Sequence, residues 1–195
     1  MRDFKKIDDY LNQLSRSIYP QKFCYDHIKS TNKTVILIDD DCKKILDIGC
    51  GDGYSLAKFK ELKKEATGVS MSDQDLQTCK SKGFNVIKAD MTFLPIEDNA
   101  FDCIWACRVL EHSPMPLMTL FEFRRVIRPG GIIILAIPEP ADWLINHQNH
   151  YFVIPEKSWI KLFRELGLII EYQGKEPVGS NDCSNDYIFK LRKGD

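Results

Sequence analysis

An α/β fold is what this sequence predicts: a doubly wound, mostly parallel sheet of seven strands with an antiparallel last strand. Three observations point there. Lys44-Ile45-Leu46-Asp47-Ile48 reads as a short buried strand, and it breaks into Gly49-Cys50-Gly51-Asp52-Gly53 before the amphipathic run Tyr54 to Lys64. Short β-favouring runs then alternate with helical stripes as far as Ile137, the pattern of successive strand–helix–strand units. Last, Leu168 to Gln173 and Tyr187 to Leu191 are strand-like and separated only by a polar loop, so they can pair antiparallel.

Taken in order, Phe4, Ile7, Leu11, Leu14 and Ile18 recur at spacings of three and four, one face of an amphipathic helix that Tyr19-Pro20 breaks. Val35-Ile36-Leu37-Ile38 is open to either helix or strand. After the glycine loop, Leu56, Ala57, Phe59 and Leu62 form the apolar side of a helix. The second strand is Ala66 to Ser70; Ser72 with Asp75 resembles a capping box, and Gly83 ends the helix it opens. Phe84 to Lys88 and Phe101 to Ala106 are the third and fourth strands. Past Pro114 and Pro116 a helix places Leu117, Leu120, Phe121 and Ile127 inward, and Arg128-Pro129-Gly130-Gly131 turns the chain. Ile132 to Ile137 is apolar on both faces, as a central parallel strand must be. An irregular stretch from Pro138 to Ile154 precedes a helix started at Pro155, striped by Trp159, Leu162, Phe163 and Leu166 and ended by Gly167. The architecture is Rossmann-like.

Composition sets the bounds. The 195 residues fit a single domain, 1–195: an N-terminal helical segment (1–43), a core (44–137), and a closing part (138–195) with a loop, the last helix and the last two strands. A net charge of −1 and an apolar share of 44% are ordinary for a globular protein and give no strong nucleic-acid signature. No run approaches the roughly 20 apolar residues a membrane span needs, and the first residues lack the apolar centre of a secretion signal. Seven scattered cysteines, with Cys103 and Cys107 lacking a second pair, suggest reduced thiols in the cytoplasm and no metal site.

In open sheets of this kind a ligand lies outside the carboxyl ends of the strands, where the strand order reverses. Those ends hold Asp47, Gly49, Cys50 and Gly51 after strand one, and Ser70 and Met71 after strand two. Asp90 and Met91 follow strand three, and Cys107 and Arg108 follow strand four. A dinucleotide loop needs a third glycine where Tyr54 stands and an acid where Ser70 stands. Both are missing, which disfavours a nicotinamide-dependent oxidoreductase.

The form Asp47-x-Gly49-x-Gly51-x-Gly53 resembles motif I of the class I S-adenosylmethionine-dependent methyltransferases, in their type 11-like small-molecule group. The likeness continues in family order through Gly68-Val69-Ser70-Met71-Ser72, Ala89-Asp90-Met91 to Leu94-Pro95, Phe101-Asp102-Cys103-Ile104, Leu110-Glu111-His112 and Arg125 to Gly131. It covers residues 44–137 densely. By that resemblance the loop at Gly49, Cys50 and Gly51 lies against the methionine and ribose parts of S-adenosyl-L-methionine, and Asp47 anchors its cationic amino-acid end. Asp90 accepts from the adenine amino group, Met91 lines the ring, and Ser70, Met71 and Cys107 complete the cofactor set. Ser70 departs from the acid many relatives carry there and offers the ribose a neutral partner. S-Adenosyl-L-homocysteine would be the product.

Methyl transfer needs alignment more than acid–base chemistry, and a base only where the acceptor must lose a proton. His112 is the candidate for that work, with an orienting or structural role as the other reading. His150 and Tyr151-Phe152 resemble a His-plus-aromatic stretch of small-molecule methyltransferases and would border the acceptor together with Trp143 and His147. Arg108 would meet an acidic substrate or a neighbouring carboxylate such as Glu111. Neither Asn-Pro-Pro-Tyr nor a Pro-Cys pair occurs, which counts against methylation of adenine or cytosine in nucleic acid. The expected acceptor is a small molecule, a lipid precursor or a sugar. A non-catalytic relative that acts through cofactor or protein binding is the alternative.

Overall fold

The computed structural model describes residues 9, 25–141, 145, 149–178 and 185–194. The helix expected over 3–18 falls, Asp9 apart, outside the described residues, as do Trp143 and His147. Helix α1 is Tyr25–Thr34, and a 3-10 turn at Val35–Leu37 settles the ambiguous apolar run. The core then runs β1 (Lys44–Ile48), α2 (Tyr54–Glu61), β2 (Glu65–Ser70), α3 (Asp73–Ser81), β3 (Asn85–Lys88) and β4 (Phe101–Cys107). A second 3-10 turn, Leu110–His112, leads to α4 (Pro116–Val126) and β5 (Ile127–Pro138). Helix α5 (Glu156–Glu165) and strands β6 (Leu168–Pro177) and β7 (Asn185–Lys193) complete it.

The seven strands form one sheet in the order β3-β2-β1-β4-β5-β7-β6. Strands β1 to β5 pair in parallel, and β7 inserts antiparallel between β5 and β6. The order reverses between β1 and β4, so the carboxyl ends of these two strands flank the switch point. The Rossmann-like expectation and the antiparallel last strand both hold.

Pleating sorts the side chains onto two faces. Leu46, Ile48, Ile104, Ala106, Ile133 and Leu135 pack with Phe123, Trp159 and Phe163 of α4 and α5. Ile45, Cys103, Trp105 and Ile134 pack with Leu56, Phe59 and Cys79 of α2 and α3. Asp47 alternates with Leu46 and Ile48, so its carboxyl points to the α2 side, where α1 also lies: His27 stands edge-on to Trp105 with ring centroids 6.2 Å apart. The Trp105 Nε1–H donates to Thr34 Oγ1 at 3.2 Å.

Two sequence expectations need correction. Leu117 and Phe121 face outward, 41% and 51% exposed, and the buried face of α4 is Thr119, Leu120, Phe123 and Val126. The apolar residues of this helix cover more than one stripe, so periodicity alone selected an arc rotated from the true one. The expected turn at Arg128 to Gly131 lies within β5, where the register against β4 shifts between Phe101 and Cys103. A bulged strand absorbs the two glycines without reversing the chain. Among the described residues no helix is long and apolar enough to cross a membrane.

Candidate functional site

The loop after β1 begins with a doubled backbone contact: the amides of Gly49 and Cys50 both donate to the carbonyl of Val69, at 2.9 and 3.1 Å. This holds the loop against β2 and turns it with Gly49 at φ +74°. A Cβ at Gly49 would stand 2.6 Å from Val109 Cγ2, so both the backbone angle and the space demand glycine here. Gly53, at φ +88°, leads into α2.

Behind the loop, Asp47 is fully buried. Its Oδ2 accepts from the Ser55 hydroxyl on α2, while Oδ1 is buried with no hydrogen-bond partner. Burial pushes its pKa up to about 7 against the opposing Ser55 bond. An unsatisfied buried carboxylate oxygen is costly, and a cationic hydrogen-bond donor at this spot would remove the cost. Helix α1 adds two more buried polar atoms without partners, His27 Nδ1 and Thr31 Oγ1. Burial lowers the His27 pKa to about 4, so its imidazole is neutral at pH 7. The Tyr54 hydroxyl donates to Asn32 Oδ1 at 3.2 Å, tying α1 to the start of α2.

Ser70 ends β2, and its Oγ accepts from the Ser72 amide at 3.1 Å, leaving the hydroxyl hydrogen to donate elsewhere. Met71 is half-buried beside it. After β3, Asp90 Oδ1 accepts from the Thr92 amide at 2.7 Å, which orients the half-buried carboxylate, and Met91 packs against the core. Cys50 and Cys107 sit differently from the other strand-end residues. Both thiols are buried in the core, with burial among the causes that raise their pKa, so these positions can offer a ligand backbone only.

Arg108, set in the left-handed region at φ +53°, is where the structure departs most from expectation. Its Nη1 donates to Asp186 Oδ1 on β7 at 2.7 Å, and Nη2 lies 3.9 Å from Asp26 on α1. The Ser30 hydroxyl donates to the other oxygen of Asp186. Burial works against the Arg108 charge, but Asp186 and Glu111 outweigh it and hold the pKa up. The neighbouring carboxylate that Arg108 pairs with is Asp186, with Glu111 contributing at longer range. Arg108 clamps α1 and β7 to the switch point.

Glu111 and His112 form the 3-10 turn after β4. The amides of Tyr151 and Phe152 both donate to the Glu111 carbonyl, at 2.9 and 3.1 Å, laying the 149–155 connection over this turn. His112 and His150 come together with ring centroids 4.8 Å apart. His112 Nδ1 lies 2.7 Å from the Asn149 carbonyl, an acceptor only, so Nδ1 carries the hydrogen and Nε2 the lone pair. Tyr151 is 42% exposed at the rim. A cavity of about 590 Å³ lined by Lys44, Lys60, Phe84 and Phe101 opens at the opposite, amino ends of the strands.

Residues 46–135 match the family described as "Methyltransferase domain". Over this segment, just under half of its length, the chain is similar to that family. A 27-O-demethylrifamycin SV methyltransferase of Amycolatopsis mediterranei is 30% identical over 111 residues, 50% of this chain and 41% of that one. A malonyl-[acyl-carrier protein] O-methyltransferase of Buchnera aphidicola is 34% identical over 94 residues, 47% of this chain and 38% of that one. The matched part is therefore less than half the length of either relative. An S-adenosylmethionine-dependent methyltransferase from Mesorhizobium loti shares the fold, with a TM-score of 0.72 at 13% identity over 83% of this chain and 96% of that one. Strands β2 to β4, most of β1 and the glycine loop lie inside the matched segment.

Sequence reasoning missed Ser55, His27, Thr31 and Asp186. Ser55 carried a faint signal, one turn into the helix behind the loop. The other three depend on α1 and β7 folding over the switch point, and nothing in their local sequence announces it.

Proposed function

We propose that the chain is an S-adenosylmethionine-dependent methyltransferase acting on a small or medium-sized acceptor. The observation that carries this reading is Asp47: a fully buried carboxylate with one unpartnered oxygen, behind a loop that a side chain at Gly49 could not share. The α-ammonium of the donor fits that need, since a charge-assisted hydrogen bond would satisfy Oδ1. Gly49 and Gly51 would offer backbone to the methionine and ribose parts, and Ser70 would donate its hydroxyl hydrogen to a ribose oxygen. Asp90 would take the adenine amino group while Met71 and Met91 pack on the ring.

When bound, S-adenosylmethionine supplies an electrophilic methyl group on a sulfonium centre. The chain's own residues then align the acceptor and exclude water. His112 has its Nε2 lone pair available to take a proton from an acceptor hydroxyl or amine, with Nδ1–H held by Asn149. His150 and Tyr151 stand beside it as walls of the acceptor space. The named substrates of the relatives, a rifamycin and a malonyl group on acyl-carrier protein, support a small-molecule or lipid-precursor acceptor rather than nucleic acid. A cytoplasmic location suits the free buried thiols Cys42, Cys50, Cys79, Cys103 and Cys107.

Ser70 favours a second reading, a relative that binds the cofactor without turnover, because a neutral hydroxyl grips the ribose less firmly than an acid. Calorimetry with S-adenosylmethionine and S-adenosylhomocysteine tests the first step of both. Binding of one equivalent, abolished in Gly51→Val, is expected. No binding removes both of these readings and leaves only a relative that acts through protein contacts. Binding without S-adenosylhomocysteine release in the presence of a metabolite extract leaves the second.

A further inference from the structure

We propose that Glu111, His112 and His150, brought together where the 149–155 connection crosses the turn after β4, bind a single divalent transition-metal cation. One ligand atom from each residue lies within 4.8 Å of the other two. A tetrahedral ion with bonds of about 2.0–2.2 Å needs ligand atoms about 3.3–3.6 Å apart, so binding draws no pair of them together by more than about 1.5 Å. His150 sits on an irregular connection, the element best able to make that adjustment.

Two independent observations point to a ligand here. Glu111 is 2% exposed and its Oε2 is buried with no hydrogen-bond partner. The nearby Arg108 guanidinium does not fill that role, because it is committed to Asp186 at 2.7 Å. His112 has its Nδ1 on the Asn149 carbonyl at 2.7 Å, which fixes the ring and leaves Nε2 as a lone-pair donor. Metal-binding histidines are held in this way, by a hydrogen bond from the other ring nitrogen to a carbonyl or carboxylate. Two imidazoles and a carboxylate suit Zn²⁺, Co²⁺ or Fe²⁺, whereas Mg²⁺ and Ca²⁺ prefer all-oxygen sets. A second group of possible ligands, Asp39, Asp41 and Cys42, is different in kind, because Asp39 is already paired with Lys190 and Arg192.

Three protein ligands leave a tetrahedral cation one open position. With the cation bound, the His112 lone pair serves as a ligand and is withdrawn from proton transfer. The proposal does not rest on cofactor binding, so its test is made without S-adenosylmethionine. The full chain, stripped with a chelator, is titrated with Zn²⁺ against a competing chromogenic chelator, and with Co²⁺ followed by absorption. One equivalent of Zn²⁺ is expected, weakened at least tenfold in both Glu111→Gln and His150→Gln and unchanged in Cys42→Ser. The Co²⁺ spectrum should lack a thiolate charge-transfer band. Near-UV circular dichroism checks folding, and His150→Gln decides alone if Glu111→Gln does not fold. Absence of stoichiometric binding, undiminished binding in the folded variants, or a thiolate band overturns the proposal.

Discussion

Asp47 has a titration that can be predicted with its sign. Burial raises its pKa to about 7, so the folded chain holds this proton to higher pH than the unfolded chain does. The stabilising contribution is full below about pH 4, the ordinary aspartate value, and is lost as pH rises through 7. The melting temperature of the cofactor-free protein should therefore fall between pH 5.5 and pH 8, and fall less in Asp47→Asn; equal slopes would contradict the assignment. A cationic donor favours the ionised form, so binding below about pH 7 should release a proton, visible as a buffer-dependent heat. Arg108 and Asp186 give a second residue-level prediction. Removing one member of a buried pair leaves the other charge uncompensated, at a cost of about 3–5 kcal/mol. Arg108→Met should lose stability on that scale in denaturant melts, and Arg108→Met with Asp186→Leu should recover part of it. The sequence marked Arg108 as a strand-end residue but could not name its partner, since Asp186 reaches it only when β7 inserts beside β5.

Helix α4 separates what periodicity reads from what it misses. Its proline start and its place in the order of elements were legible, but its end was not, since Ile127 already belongs to β5; nor was the inward arc, because apolar residues also occupy the outward side at Leu117, Met118 and Phe121. Phe123→Ala should cost about 3–5 kcal/mol as a core truncation, while Phe121→Ser should stay within about 0.5 kcal/mol as a surface change. Comparable losses at both positions would contradict the observed arc. The loop after β1 makes the opposite case. Alternating glycines announce it in sequence, and the structure supplies the reason in the close approach of Val109 to Gly49. Gly49→Ala should destabilise the protein by about 1–2 kcal/mol from the backbone angle alone, with further loss from the clash, and should weaken cofactor binding.

Across the whole molecule, the strand–helix alternation and the antiparallel closing pair made the sheet legible, because each β-α-β unit is written locally in the chain. Strand ends at the switch point follow from topology, which is why Asp47, Ser70, Met71, Asp90 and Met91 could be named as candidates without knowing their contacts. The missing part is long-range: α1 laid over the switch point with His27 and Thr31, and the meeting of His112 with His150 through the Glu111 carbonyl. Cys50 and Cys107 belong to this part too, since a strand end marks where a backbone stops and not which way its side chain turns. The central reading is that a buried, half-satisfied carboxylate behind the glycine loop awaits a cationic methyl donor. Isothermal titration of S-adenosylmethionine into the wild-type chain and into Asp47→Asn tests it most directly. One equivalent bound by wild type with at least tenfold weaker binding in the variant is expected; binding that is absent in wild type or undiminished in Asp47→Asn would contradict it.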